Sequence, residues 1–353
     1  MRLVLIGGTG FIGPPVARAL LDQGHEVAVF HRGQSKSLPD GVRHILGDRR
    51  ALADSRSQFA DFAPDVVIDF ILASGSQAKA TLDVFRGIAN RVVALSSGDV
   101  YRAAGILHGT EPGPLQPMPL TEDSDLRTQG QTYSKEALEM IRKTLPWLED
   151  DYDKIPVERA VLSDPELAGT VLRLPMVYGP GDMFHRFHTY LKRMDDGRPA
   201  ILIQEDMAQW RGPRGYVENV STGIALAATS PEAAGRIYNL AEAQSYSEIE
   251  WAQHIGRSAG WSGSLYAVPP DLTPAHLKVP YNAAQHWTMG SSRIRAELGY
   301  AEAVSPEAAI ARTIQWERAN PPAQVDPAQF DYAAEDAALE KLRVREKIAL
   351  AGS

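Results

Sequence analysis

The sequence contains no cysteine. Disulfides, thiolate metal sites and cysteine nucleophiles are therefore excluded together, and a reducing, cytoplasmic setting is the natural expectation. No run of 18 or more apolar residues occurs, so neither a transmembrane helix nor a membrane partner is expected. Met1 to Ile6 runs straight into a strand-like segment, without the basic-then-apolar order of a signal peptide. Positive charge is in the minority: 36 Lys and Arg stand against 44 Asp and Glu, a net charge of −8. A chain of this sign is not expected to bind nucleic acid, although a local pocket can still hold a small anion. Repeats and low-complexity tracts are also missing. The chain has 353 residues, 44% hydrophobic and 23% charged, which excludes wholesale disorder. Its length suits two domains or one large one.

The first hundred residues alternate short apolar runs with helical spacing. Arg2–Ile6, Glu26–His31, Val66–Ile71 and Arg91–Ser96 read as buried strands, and Pro15–Gln23 and Ala78–Ala89 as helices. Continuous apolar strands between helices predict an α/β fold, a doubly wound parallel sheet covered on both faces. Gly105 to Pro119 reads as a surface loop, and Thr121 to Leu148 as a polar, helix-capable segment. The α/β pattern resumes at Pro156–Leu162 and Thr170–Leu174, then loosens after Asp182. Asp331–Lys347 reads as an outer helix.

Gly7-Gly8-Thr9-Gly10-Phe11-Ile12-Gly13 lies between the first strand and the first helix. Glycines at 7, 10 and 13 permit a tight turn, close approach of a pyrophosphate and close helix–strand packing. Free N–H groups at the helix start then face the anion. This context predicts a Rossmann-type dinucleotide site. The bland alternative is a glycine-rich turn that binds nothing. The second strand ends in His31-Arg32, with Ser35 and Lys36 beyond, where an NAD site usually offers a carboxylate. A guanidinium pairs with a 2′-phosphate, so NADP is favoured, with NAD possible. Asp48 either accepts from the adenine amino group or caps the next segment, and Arg49 stands beside it.

Four ordered motifs carry a resemblance over about the first 240 residues: Gly7–Gly13, Ser96-Ser97-Gly98-Asp99-Val100-Tyr101, Val171-Leu172-Arg173 through Tyr178-Gly179-Pro180-Gly181-Asp182, and Arg214-Gly215-Tyr216-Val217-Glu218-Asn219-Val220. Together they resemble the short-chain dehydrogenase/reductase superfamily, in its extended branch of NAD-dependent epimerases and dehydratases of nucleotide sugars. The resemblance implies a cofactor across the strand C-termini, a smaller C-terminal substrate lobe and, commonly, a homodimer. It further implies a Ser and a Tyr that bind the reacting oxygen, and a Lys that lowers the Tyr pKa and holds the nicotinamide ribose. Such chemistry is general acid–base catalysis beside a hydride acceptor. Tyrosine titrates near 10, so it needs a cation nearby to act as a base.

Ser97, four residues before Tyr101, is the candidate hydroxyl. Lys154 fits the lysine, with Glu158 four residues on, but Asp150 stands where the Tyr should be. Within a helix, Tyr152 and Lys154 would face different sides. A helix starting near Tyr152 or Asp153 would leave Tyr152 outside regular geometry and able to reach the nicotinamide. Tyr133, in Tyr133-Ser134-Lys135, is the rival. Pro175 falls at the cofactor wall implied by the resemblance, while Tyr101, His185, Arg186, Trp210 and Arg214 are candidate substrate contacts. The family uses the region of Arg214 to hold a substrate phosphate, which suits a guanidinium fork. Two departures from the resemblance stand out. Met176 replaces an amide donor that it cannot imitate, which weakens a nucleotide-sugar assignment, and Ile68-Asp69-Phe70-Ile71-Leu72-Ala73 lacks a small pair, so bulkier side chains would reshape the cofactor wall.

His185, His188 and Asp182 are too loosely spaced for a metal site, so no metal is expected. Residues 1–180 are expected to form the dinucleotide-binding domain, with an insertion at about 103–150 and residues 235–240 returning to it. Residues 181–320 would form mainly the substrate lobe, and 321–353 a helical extension. The activity expected is that of an NAD(P)-dependent oxidoreductase, epimerase or dehydratase acting on a hydroxyl or carbonyl of a small, possibly sugar-related molecule. A non-catalytic dinucleotide sensor or scaffold is the alternative, motivated by the altered Tyr/Lys spacing.

Overall fold

The computed structural model describes residues 1–33, 37–130, 133, 135–145, 148 and 151–351. Ser35, Lys36, Ser134 and Asp150, considered above, lie outside the described residues. The strands are β1 (Arg2–Ile6), β2 (Glu26–His31), β3 (Arg43–Leu46), β4 (Val66–Asp69), β5 (Arg91–Ser97), β6 (Ala168–Leu174), β7 (Met176–Tyr178), β8 (Ala200–Gln204), β9 (Arg214–Tyr216), β10 (Arg236–Asn239) and β11 (Ser264–Val268). Seven of them form one parallel sheet in the order β10-β6-β5-β4-β1-β2-β3. β7 pairs with β9, and β8 with β11, in two small parallel pairs.

The apolar strand runs explain the sheet. Leu3 and Leu5 face one core, with Val27, Val29 and Ile68, while Val4 and Ile6 face the other, with Phe30, Phe59 and Phe85. Alternation with a period of two sends neighbouring residues to opposite faces. Each such side chain contributes about 1.5–3 kcal/mol on burial. Helices 13–22 and 217–229 cover the first face, and helices 75–85 and 154–162 pack together on the second. The strand order reverses between β1 and β4, so the crevice for a ligand opens beyond their C-terminal ends.

A buried polar network ties β5, β6 and β10 together. Arg173 forms a two-pronged bridge to Glu158, at 3.0 and 2.7 Å, and donates to the Tyr101 hydroxyl at 3.0 Å. Ser96 Oγ donates to Glu158 at 2.6 Å, and the Tyr101 hydroxyl donates to Asn239 Oδ1 at 2.6 Å. Tyr101 is fully buried in this network.

Two segments differ from expectation. Gly105–Pro119 is not all loop, because helix Arg102–Leu107 reaches into it. Between Thr121 and Leu148 the described helix spans only Lys135–Thr144. Pro119 and a Thr121–Ser124 turn keep the earlier part irregular, and Leu120 bridges to Met289 instead. Helix Tyr332–Ala351 packs Ala338, Leu339 and Leu342 on Ala200, Leu202 and Val268. No helix among the described residues is long and apolar enough to cross a membrane.

Removing one partner of a buried ion pair strands the other charge. Glu158→Leu is therefore expected to cost about 3–5 kcal/mol in urea unfolding, and adding Arg173→Met to recover part of that loss. A loss below about 1 kcal/mol would place the pair among weak exposed bridges.

Candidate active site

The glycine turn forms a backbone cradle at the start of helix Gly13–Asp22. Gly7 has φ of 75°, and a Cβ on Gly13 would sit 2.2 Å from the Gly8 carbonyl oxygen. Both positions exclude a side chain. A Cβ on Gly10 would meet nothing within 4 Å, so open space lies there. Pro14 and Pro15 remove two of the helix's first N–H groups, leaving those of Ile12 and Gly13 toward the turn. The open cradle, these donors and the positive helix end suit a pyrophosphate. Ile71 presses on Gly7, where a Cβ would lie 2.7 Å from its side chain.

At the far end of β2, three of four expected cofactor contacts are already committed to the protein. His31 accepts the Gly33 N–H at Nδ1, 3.0 Å, and its Nε2 meets His44 Nδ1 at 2.8 Å. Burial, then the neighbouring His44, lowers its pKa, so it braces the turn as a neutral ring. Asp48 caps the following helical turn by accepting the Arg50 N–H at 2.9 Å, and it also pairs with the Arg50 guanidinium. That pairing pulls the Asp48 carboxyl down to about 2. Arg49 turns inward to Asp69 at 2.6 Å and Thr81 at 3.1 Å. Arg32 remains exposed.

Helix Lys154–Leu162 is capped by Asp153, whose carboxylate accepts the Ile155 N–H at 3.0 Å. Tyr152 therefore precedes the cap, and its separation from Lys154 is not a helical one. Its hydroxyl donates to Asp99 Oδ2 at 2.6 Å, and the Tyr133 hydroxyl reaches the same oxygen at 3.3 Å. Asp99 lies in the short turn after β5, almost wholly buried, and its own N–H donates to Ser97 Oγ at 3.2 Å. Both rival tyrosines thus converge on the Asp99 carboxylate, while the candidate serine accepts the backbone N–H of the same residue. Arg127 steadies it, donating to the Asp99 carbonyl at 2.5 Å and to Asp153 at 3.0 Å. Neither Asp99 nor Arg127 stood out in the sequence. The signal for Asp99 was an acid two residues past the strand-end serine, where functional groups gather in this architecture.

Lys154 is buried. Its ammonium donates to the Leu72 and Leu95 carbonyls, the latter at 3.1 Å, and lies 5.9 Å from the Tyr152 ring centroid. Burial lowers its pKa to about 8, against the pull of Asp99 and Asp69. Burial, and after it the Asp99 charge, raises both Tyr152 and Tyr133 well above 10. This reverses the lowered Tyr pKa that the resemblance implies. The carboxylate bonds the phenol directly, whereas the ammonium faces backbone carbonyls.

A cavity of about 600 Å³ opens over these groups, lined by Ser97, Asp99, Tyr133, Tyr152, Lys154 and Pro175. Arg186, Trp210 and Arg214 form part of its wall. Trp210 Nε1 donates to the Gln285 carbonyl at 3.0 Å. Arg214 stacks over Trp251, 4.7 Å from the ring centroid. Two expected substrate residues lie elsewhere. Tyr101 belongs to the buried network, its hydroxyl satisfied by Asn239. His185 bonds Glu317 at 2.7 Å and stacks on Trp316, which ties it to helix Pro306–Ala319. Among the described residues no group of three or more His, Asp or Glu is placed to hold a metal ion.

Comparison with known proteins agrees with this architecture. The chain is 26% identical over 286 residues to the 2′-dehydrokanamycin reductase of Streptomyces kanamyceticus, covering 79% of this chain and 72% of that one. It is 25% identical over 289 residues to a 3-diazoavenalumate denitrifying reductase of a Streptomyces species, covering 78% and 86%. The Bordetella bronchiseptica enzyme WbmG, solved with NAD and UDP, shares the fold with a TM-score of 0.66 at 16% identity, over 91% of this chain and 96% of that one. The NAD dependent epimerase/dehydratase family matches residues 3–128 and 151–241, more than half of the sequence. The chain belongs to that family, and is an NAD(P)-dependent oxidoreductase of the epimerase/dehydratase type.

Proposed function

We propose that this protein is an NADP(H)-dependent carbonyl reductase in which Tyr152 is the proton donor. The observation that carries the reading is the junction at Asp99, which joins the Tyr152 hydroxyl to the turn that holds Ser97. A phenol held above 10 stays protonated, and so keeps a proton to give when hydride transfer leaves a more basic alkoxide oxygen beside it. A dinucleotide held there would supply the hydride that reduces the carbonyl carbon. The substrate oxygen then becomes basic and takes the Tyr152 proton, while Ser97 hydrogen-bonds that oxygen. Lys154, cationic below about pH 8, offsets the negative charge left on the phenol and would hold the ribose of the cofactor. The two Streptomyces reductases support net reduction over epimerisation, in which the hydride is returned.

Cofactor binding falls to the chain's own groups. Gly10, Ile12 and Gly13 would cradle the pyrophosphate, and Lys154 and Pro175 would flank the nicotinamide end. The preference for NADP rests on Arg32, which is exposed at the end of β2 where an NAD site would carry an acid.

Two measurements test this reading. Tyr152→Phe is expected to lower kcat about 10²–10⁴-fold against a panel of ketones with NADPH. Tyr133→Phe, at the longer of the two contacts, is expected to lower it less than about tenfold. The opposite order would make Tyr133 the donor, and unchanged turnover in both would discard the tyrosine mechanism. Separately, titration with NADPH and NADH should show tighter NADPH binding, and Arg32→Ala should abolish that preference. Equal or better NADH binding would overturn the role of Arg32.

A further inference from the structure

The cavity over Tyr152 is poorly suited to a phosphate. Its cations are already committed: Arg186 to Asp182 at 2.6 Å, Arg214 to Glu248, and Lys154 to two backbone carbonyls. Arg211, between two lining residues, pairs with Glu250 at 3.0 Å. An incoming diphosphate would have to break one of these pairs while facing Asp99 and Glu248. Partly buried carboxylates repel such a charge strongly, because little water screens them.

Much of the rest of the wall is apolar, interrupted by Ser97, His108 and several tyrosine rings. Residues 138–148, within the segment expected as an insertion, contribute Leu138, Ile141, Leu145 and Leu148, which cluster around Tyr133 and Tyr152. At the rim, Phe184 lies under the Arg186 guanidinium and Tyr281 stands edge-on to His108, each with part of its ring exposed.

We infer that the substrate is an uncharged, ring-bearing apolar ketone or its alcohol, and not a nucleotide diphosphate sugar. The inference rests on the reading of this cavity as the reduction site. The wall offers apolar area for the body of the molecule, and its oxygen would meet the Ser97 hydroxyl and, once that bond turns from Asp99, the Tyr152 hydroxyl.

The test is calorimetric titration of the full chain, with and without NADP⁺, using a naphthyl methyl ketone and UDP-glucose as probes. The ketone is expected to bind at least tenfold more tightly than UDP-glucose. Glu248→Gln keeps an acceptor for the Tyr190 hydroxyl, 2.6 Å from Glu248, but releases the Arg214 charge. It is expected to raise UDP-glucose affinity at least tenfold. The inference is overturned if the ketone does not bind, if UDP-glucose binds as tightly, or if Glu248→Gln brings no gain. Failure of NADP⁺ and NAD⁺ to bind would instead withdraw the proposed function, while the preference between the two probes is still read on the unloaded protein.

Discussion

The arrangement at the end of β5 depends on one buried carboxylate. Asp99 receives two phenols that arrive from separate segments, one on each side of helix Lys135–Thr144. A buried carboxylate is tolerable only when donors surround it. Each tyrosine supplies one to Oδ2, whereas the buried Oδ1 has no hydrogen-bond partner among the described residues. Arg127 completes the clamp by holding the Asp99 carbonyl and the cap of helix Lys154–Leu162 together. Burial first, and the same carboxylate after it, raises both phenol pKa values, which keeps both phenols protonated.

The sheet beneath is what makes this geometry repeatable. Lys154 ties the loop after β4 to β5 through the Leu72 and Leu95 carbonyls. One turn along the same helix, Glu158 locks Arg173 of β6 and Ser96 of β5. A single helix therefore fixes β5, β6 and the loop after β4 with two polar side chains, four residues apart on one face. The site and the core share that helix. A mutation at Glu158 is accordingly a stability change first and a catalytic change second.

Local features of this fold were legible in the sequence, and long-range partnerships were not. The glycine turn, β1, β2 and the start of helix Lys154–Leu162 follow from backbone limits on Gly and Pro and from apolar runs. Ser97 follows from its place at a strand end. By contrast, His31, Arg49, Tyr101 and His185 read as ligand contacts because their chemistry suits ligands. Each instead meets a protein partner 13 to 138 residues away in sequence. The pairing of Arg186 with Asp182, four residues earlier, was readable as a local ion pair; that of Arg214 with Glu248 was not. Asp99 was hidden for the same reason, since a lone acid in a turn resembles a cap until two tyrosines are brought to it.

The most direct test is an NMR titration of tyrosine labelled at Cζ, in the wild type and in Asp99→Asn, with Tyr152→Phe and Tyr133→Phe to assign the signals. If the carboxylate governs the site, the Tyr152 signal stays un-ionised above pH 10 in the wild type and titrates at lower pH in Asp99→Asn. The Tyr133 signal shifts in the same direction. A Tyr152 resonance that titrates as an ordinary phenol in the wild type, or one indifferent to Asp99→Asn, would contradict the account.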